Sequence, residues 1–249
     1  MEFGFKRKFT WWNSIDVKAL INIIFIMLLG ILLLTSAGSG VSEKLGLSHY
    51  YFVKKQLAFL LVGIFIILFL SALNEKYIRR IIFIGFISTI ILLILVILFG
   101  DATKGAKRWL NIMGFSLQPS EFLKPFYTCF IAIILSYEKS KINFKIFCIC
   151  VFFNALIAIL LLLQPDFGMT ITNTIATFSL FFIAGIKLSW LLLVLVIFVC
   201  GIYGAYLFFP HVAQRIDKFM DPTNSSNYQV QKSVSSYLNG GFFGKGPGE

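Results

Sequence analysis

Charge is scarce in this chain. Of its 249 residues, 13% are Asp, Glu, Lys or Arg, while 58% are hydrophobic, against ~25% charged and ~45–50% apolar in ordinary soluble domains. With a mean hydropathy of +0.87, that shortage excludes a water-soluble globular core. Histidine is scarcer still. The two that occur, His49 and His211, each stand in a polar segment with no second ligand nearby, so neither is assigned to a metal. The four cysteines, Cys129, Cys148, Cys150 and Cys200, fall inside apolar tracts, where a thiol behaves as a small apolar group. Cys148 and Cys150 are two residues apart, so a helix points them to different faces, which argues against a bridge or a metal pair. Internal repeats, low-complexity linkers and a second soluble domain are all lacking.

Long apolar tracts are what the chain has instead. They cover residues 19–37, 56–73, 81–99, 119–136, 146–163, 169–185 and 188–209. A bilayer core of roughly 30 Å takes about 20 apolar residues per helix, so these read as about seven transmembrane helices. The fourth reaches span length only if Pro119–Glu121 form its first turn. The expected fold class is all-α, a polytopic membrane helical bundle in one domain. The first tract is too long for the apolar region of a cleaved signal peptide and carries no small-residue cleavage pattern, so it is expected to be retained as an anchor.

Loop charge should report orientation, because cytoplasmic loops collect Lys and Arg. Here the 22 cations divide evenly between the two sides. The cluster Lys6-Arg7-Lys8, just before the first span, decides the assignment and places the N-terminus in the cytoplasm. The brief basic connections Asn74–Arg80 and Glu138–Lys145 then read as inside anchors. Gly38–Lys55, Gly100–Gln118 and residues 210–249 lie outside, with as many cations as the inside holds. An anionic species on the outer face explains that surplus, and no nucleic-acid partner is expected.

The external tail is amphipathic rather than spanning. A helix through residues 211–219 sets Val212, Ile216 and Phe219 on one face and His211, Arg215 and Lys218 on the other. Asp221-Pro222 ends it, and Tyr228–Leu238 forms a second surface helix. The glycines from Gly240 to Gly248 read as a turn in preference to a phosphate loop.

Three polar blocks interrupt the apolar background. The first is Gly105-Ala106-Lys107-Arg108-Trp109-Leu110 followed by Gly114-Phe115-Ser116-Leu117-Gln118-Pro119-Ser120-Glu121-Phe122-Leu123-Lys124. Pro119 fits the first position of a helix with Glu121 at the third, which sets Glu121 and Lys124 on one face. They are either a mutual structural pair or the wall of a wet cavity. Pro125 should kink that helix and free a carbonyl. Arg108 offers a fork of donors for phosphate beside the flat ring of Trp109, or the two are an interfacial anchor with a snorkelling arginine. The second block is Gln164-Pro165-Asp166-Phe167-Gly168, in which Asp166 either caps the next helix or acts directly. The third runs through Arg215, Phe219, Asp221-Pro222, Tyr228-Gln229 and Gly240–Gly246.

In order and placement these blocks resemble the G-A-x-R-W … Q-P-S-E-x-x-K and Q-P-D-x-G signatures of the SEDS family, which comprises FtsW, RodA and SpoVE. The likeness covers nearly the whole chain. The ending Gly244–Glu249, the loop Ser42–Leu47 and the stretch Phe52–Gln56 resemble the division-type branch of alphaproteobacteria. Lys55 stands where relatives often carry arginine, which keeps the charge and loses the bidentate fork.

The resemblance implies a peptidoglycan glycosyltransferase of the bacterial inner membrane, at the division septum. It would polymerise lipid II, a polyprenyl-pyrophosphate-linked disaccharide-pentapeptide, with an FtsI-type transpeptidase, other division proteins and membrane lipid as partners. Such a transfer needs a base for the acceptor hydroxyl and cations for the departing pyrophosphate. The substrate-binding candidates are Lys107, Arg108, Trp109, Gln118, Glu121, Lys124 and Arg215, with Lys107, Arg108, Lys124 and Arg215 in the cationic role. No cofactor is named, and a divalent cation stays an open option. The family's catalytic aspartate and its last three of ten spans follow the glycine-rich block, so no residue here receives that role. The expectation is of a C-terminally truncated chain. A lipid II translocator and a non-catalytic division scaffold stay open as alternative functions.

Overall fold

A computed structural model describes Trp11 and residues 15–103, 106–112, 115–137, 142–220, 228–241 and 244. The elements are α1 (Val17–Lys44), α2 (Tyr51–Ser71), α3 (Glu75–Phe99), β1 (Asp101–Thr103), β2 (Ala106–Ile112), β3 (Phe115–Leu117), α4 (Pro119–Ser136), α5 (Phe144–Leu163), α6 (Phe167–Ile183), α7 (Leu188–Phe208), α8 (Pro210–Met220) and α9 (Tyr228–Gly240). Each apolar tract became a helix. Five of them, α1, α2, α3, α5 and α7, are long and apolar enough to cross a membrane, so the chain is an all-α polytopic membrane protein. The other two are shorter or more polar. α6 has 17 residues, about 25 Å at 1.5 Å per residue, and α4 has 18 with a polar first turn.

Two compact units divide the chain, residues 79–224 and residues 1–78 with 225–249. In the second of these α1 packs against α2, and neither buries any of its membrane-length window. Their apolar side chains face outward, as a lipid-exposed surface requires. The segment expected as an outer loop, Gly38–Lys55, is mostly helical, and only residues 45–50 connect α1 to α2. The stop comes at Gly46, which takes φ +66° and closes the end of α1 with Gly46 N–H to Glu43 O at 3.1 Å and Leu47 N–H to Ser42 O at 2.9 Å. Glycine at this left-handed position ends a helix and satisfies its last carbonyls. Gly185 does the same at the end of α6 (φ +70°). The predicted second surface helix is α9, ended by a turn at Gly241.

Within residues 79–224 the core lies among α3, α4, α5, α6 and the start of α7. Phe86, Leu93, Leu123, Tyr127, Ile131, Cys150 and Leu161 have no accessible surface. Phe86 stacks on Phe130 at 4.2 Å between centroids and meets Phe153 edge-on at 5.8 Å. Cys150 is buried while Cys148 is exposed, the two-face arrangement that their spacing implies. α8 lies against α7, with Val212 fully buried and Ile216 half-buried. The side chains of Arg215, Lys218 and Phe219 fall outside the described residues. So do residues 221–227, 242–243 and 245–249, which hold Asp221-Pro222 and the last two glycines, Gly246 and Gly248.

Candidate functional site

The polar loop between α3 and α4 is a small antiparallel sheet in the order β1-β2-β3. Asp101 is opposite Trp109, with a bulge beside it, and Leu110 is opposite Leu117. Side chains alternate along a strand, and β2 obeys this: Lys107 and Trp109 are exposed, Arg108 and Leu110 half-buried. The sequence had suggested Arg108 and Trp109 as one recognition surface. The strand separates them, sending Trp109 (38% exposed) outward and Arg108 inward.

Arg108 reaches the corner between α5 and α6. One of its terminal nitrogens donates to the carbonyl of Pro165, and the other lies 3.9 Å from Asp166 Oδ1. The same corner is fastened to α3 by Gln164, which is 1% exposed and donates from Nε2 to Leu93 O at 2.8 Å. The first and second motif blocks therefore meet in space, although 57 residues separate Arg108 from Pro165.

Asp166 occupies the N-cap position of α6 without capping it by its side chain. Its backbone carbonyl takes the first-turn bonds, from Thr170 N–H at 3.1 Å and Thr170 Oγ1 at 3.0 Å. That leaves the carboxylate, whose side chain is 7% exposed, turned toward Arg108. Two buried atoms of this pair, Arg108 Nε and Asp166 Oδ2, have no hydrogen-bond partner. Each such atom costs about 1–3 kcal/mol, and a donor beside an acceptor is the pattern that a hydroxyl, or a water, satisfies at both ends.

α4 begins as its sequence requires, with Pro119 in the first turn, Gln118 at the N-cap and Glu121 in the first turn. Gln118 leaves that turn uncapped by its side chain and donates to Ser120 Oγ at 3.1 Å. Lys124 Nζ meets Glu121 Oε2 at 2.7 Å, with side chains 38% and 52% exposed, so the mutual pair is realised and remains open to solvent. Pro125 sits inside a helix that continues to Ser136. Of the candidates, Arg108 is joined to the α5–α6 corner, and Gln118, Glu121 and Lys124 gather on the first turn of α4. Lys107 and Trp109 face away from Arg108.

Sequence reasoning missed a polar stripe on α6. Thr170, Asn173, Thr174 and Thr177 are all buried, at spacings that define one helix face. Thr174 donates to Thr170 O at 2.9 Å, and Thr177 to Asn173 O at 3.0 Å. Thr177 also meets Tyr127 Oη of α4 at 3.0 Å, and Tyr127 donates to Asn154 Oδ1 of α5 at 3.2 Å. The signal lay in the spacing of Thr and Asn through an otherwise apolar tract. Beside this stripe, a groove of about 250 Å³ runs between α5, α6 and α7, from Phe167 next to Asp166 down to Phe181 and Val194. Its walls are apolar apart from Asn154 and the threonines.

A multi-pass membrane protein with a fastened polar corner at the end where α5 gives way to α6 is the class that these features define. The profile of the FtsW/RodA/SpoVE family, described as a cell cycle protein, matches residues 17–249, and the chain belongs to that family. Among curated relatives it is similar to the "Probable peptidoglycan glycosyltransferase FtsW" of Caulobacter vibrioides (strain NA1000 / CB15N), 30% identical over 96% of this chain and 62% of the relative. It is 32% identical to the protein of the same name from Tolumonas auensis, over 89% of this chain and 59% of that one. Among solved structures, a chain of a study titled "Structural coordination of polymerization and crosslinking by a peptidoglycan synthase complex" matches with a TM-score of 0.71 at 21% identity, covering 91% of this chain and 66% of that one. The rod shape determining protein RodA of Thermus thermophilus matches with a TM-score of 0.62 at 21% identity, over 78% and 62%. These structural likenesses bear on the fold. The chain spans about 62% of the length of its Caulobacter relative.

Proposed function

We propose that this chain acts as a peptidoglycan glycosyltransferase of cell division, polymerising lipid II at the outer face of the inner membrane, at the septum, beside an FtsI-type transpeptidase. The observation that carries the reading is the junction of Arg108 with Pro165 and Asp166, which joins two of the motif blocks on one corner. Arg108 is the positioned cation of this site, and Lys107 on the opposite face of β2 and Lys124, paired with Glu121, are the further cations assigned to the substrate. A departing pyrophosphate is stabilised by cations held where its charge develops, and a guanidinium fixed from two sides pays little entropy to meet it. The groove that starts at Phe167 supports the same reading, since an apolar chain attached to a phosphate at Arg108 has an apolar path beside it. Arg215 completes the cation set. No residue of this chain is assigned as the base. Asp217 is exposed and accepts a bond from Tyr206 at 3.0 Å, and neither it nor Asp221 takes that role.

The test is lipid II polymerisation by the protein, with Lys107, Arg108, Lys124 and Arg215 changed singly to alanine at matched expression. Loss of rate is expected, greatest for Arg108, by roughly a hundredfold for a positioned transition-state donor. Unchanged rates for all four variants would remove the assignment.

A further inference from the structure

The strand that turns Arg108 inward has a second face. Because side chains alternate along β2, that face carries Lys107, Trp109 and Asn111 in one row, all three exposed. Neighbours in such a row are about 6.7 Å apart, so it runs about 13 Å from end to end. Ser116 of β3, opposite Asn111 in the register, is exposed as well and broadens the row onto a second strand. Trp109 stands at the centre with 38% of its surface open. Arg108, between Lys107 and Trp109 in sequence, points the other way, to Pro165 and Asp166. β2 is the middle strand of the sheet, with β1 on one side and β3 on the other, so the two faces are separated by the whole width of the sheet. A sugar bonded directly to a pyrophosphate at Arg108 therefore does not reach Trp109.

We propose that the row on the outer face of β2 binds the growing glycan strand, the polymer rather than the lipid-linked monomer, with a pyranose ring stacked on Trp109. The identity of the polymer rests on the glycosyltransferase reading above. A pyranose has a flat face of C–H groups and a rim of hydroxyl and amide groups. The indole offers the flat apolar surface that the face covers, and the Lys107 ammonium and Ser116 hydroxyl on either side offer hydrogen bonds to the rim. Lys107 also suits a ligand that carries carboxylates on its stem peptides. The two faces of one short sheet then divide the labour: the phosphate of the incoming monomer on the Arg108 side, the strand already made on the Trp109 side. A polymer held there stays with the protein between additions.

The full chain in nanodiscs, titrated with fluorescently labelled, uncross-linked peptidoglycan strands and followed by anisotropy with no lipid II present, tests this. Trp109→Ala should weaken binding roughly tenfold, and Trp109→Tyr, which keeps a flat ring, should restore it to within about threefold of the unaltered chain. Binding that Trp109→Ala leaves unchanged would overturn the proposal. A second measurement needs no substitution in the sheet. In a variant whose only tryptophan is Trp109 (Trp11→Phe, Trp12→Phe, Trp190→Phe), added strands should protect the indole from quenching by aqueous acrylamide, and brominated lipid chains should quench it little. Strong quenching by brominated lipid, with acrylamide quenching indifferent to the strands, would make Trp109 a bilayer anchor and overturn the proposal. Strand binding is measured without turnover, so it can fail while polymerisation stands, and polymerisation can fail while strand binding stands.

Discussion

Arg108 and Asp166 show what a single residue contributes that its motif does not reveal. From the sequence, Asp166 was equally a helix cap and a direct participant, and Arg108 was grouped with Trp109 because the two are adjacent. Adjacency on a strand means opposite faces, and nothing in the motif said that residues 106–112 were a strand. The carboxylate is drawn off its capping duty because a buried anion is stabilised more by a guanidinium than by a backbone N–H that already has alternatives. The pair is expected to couple energetically. Arg108→Gln should cost about 2 kcal/mol of stability by leaving Asp166 buried without its cation. Adding Asp166→Asn should recover about 1 kcal/mol of that loss, since the double variant buries no unpaired charge. Denaturant titration in detergent micelles of the two single variants and the double variant measures the coupling, and strictly additive costs would mean that the 3.9 Å approach carries no interaction.

Elements were more legible than residues, for a physical reason. A membrane helix must satisfy its own backbone, so a long apolar tract leaves the chain almost no other choice. The start of α4 could be read from Pro119 and the end of α1 from Gly46, although the expected loop at Gly38–Lys55 overlooked that glycine. The β1-β2-β3 sheet was missed because β1 and β3 have three residues each, below any periodicity that sequence reveals. The polar stripe of α6 makes a testable distinction between residues of one type. Thr177 bonds across to α4 and shares Asn154 Oδ1 of α5 at 3.3 Å, whereas the bond of Thr174 stays within its own helix. Interhelical hydrogen bonds in membranes average about 0.6 kcal/mol. Tyr127→Phe and Thr177→Val should therefore each destabilise by about 1 kcal/mol, and Thr174→Val by less than about 0.5 kcal/mol. Unfolding in mixed micelles ranks the three, and equal effects would deny α6 a binding face distinct from the rest of its stripe.

At the scale of the whole molecule, one contact bears on the parity of two spans where loop charges are balanced. The cations divide evenly between the two sides, so only the N-terminal cluster chose a direction. The bond from Arg108 to Pro165 constrains parity independently: β2 and the α5–α6 corner share one face, so α4 and α5 both cross or neither does. α5 has 20 residues with the length and hydropathy of a span. We therefore propose that α4 crosses too, its Glu121–Lys124 end at the headgroups where charge is tolerated. With the Lys6-Arg7-Lys8 cluster taken as inside, this proposal of seven crossings expects residues 74–80 inside, and the α1–α2 connection, the sheet and α8 outside. In a variant with Cys129, Cys148, Cys150 and Cys200 changed to alanine, single reporter cysteines can be placed at Ser48, Lys76 and Gln214. A membrane-impermeant maleimide applied to intact cells should label Ser48→Cys and Gln214→Cys, and Lys76→Cys only after permeabilisation. Labelling of Lys76→Cys alone would invert the orientation. Labelling of Ser48→Cys without Gln214→Cys would mean that one of the helices from α2 to α7 does not cross, and α6, at 17 residues, is the one whose length leaves the least margin.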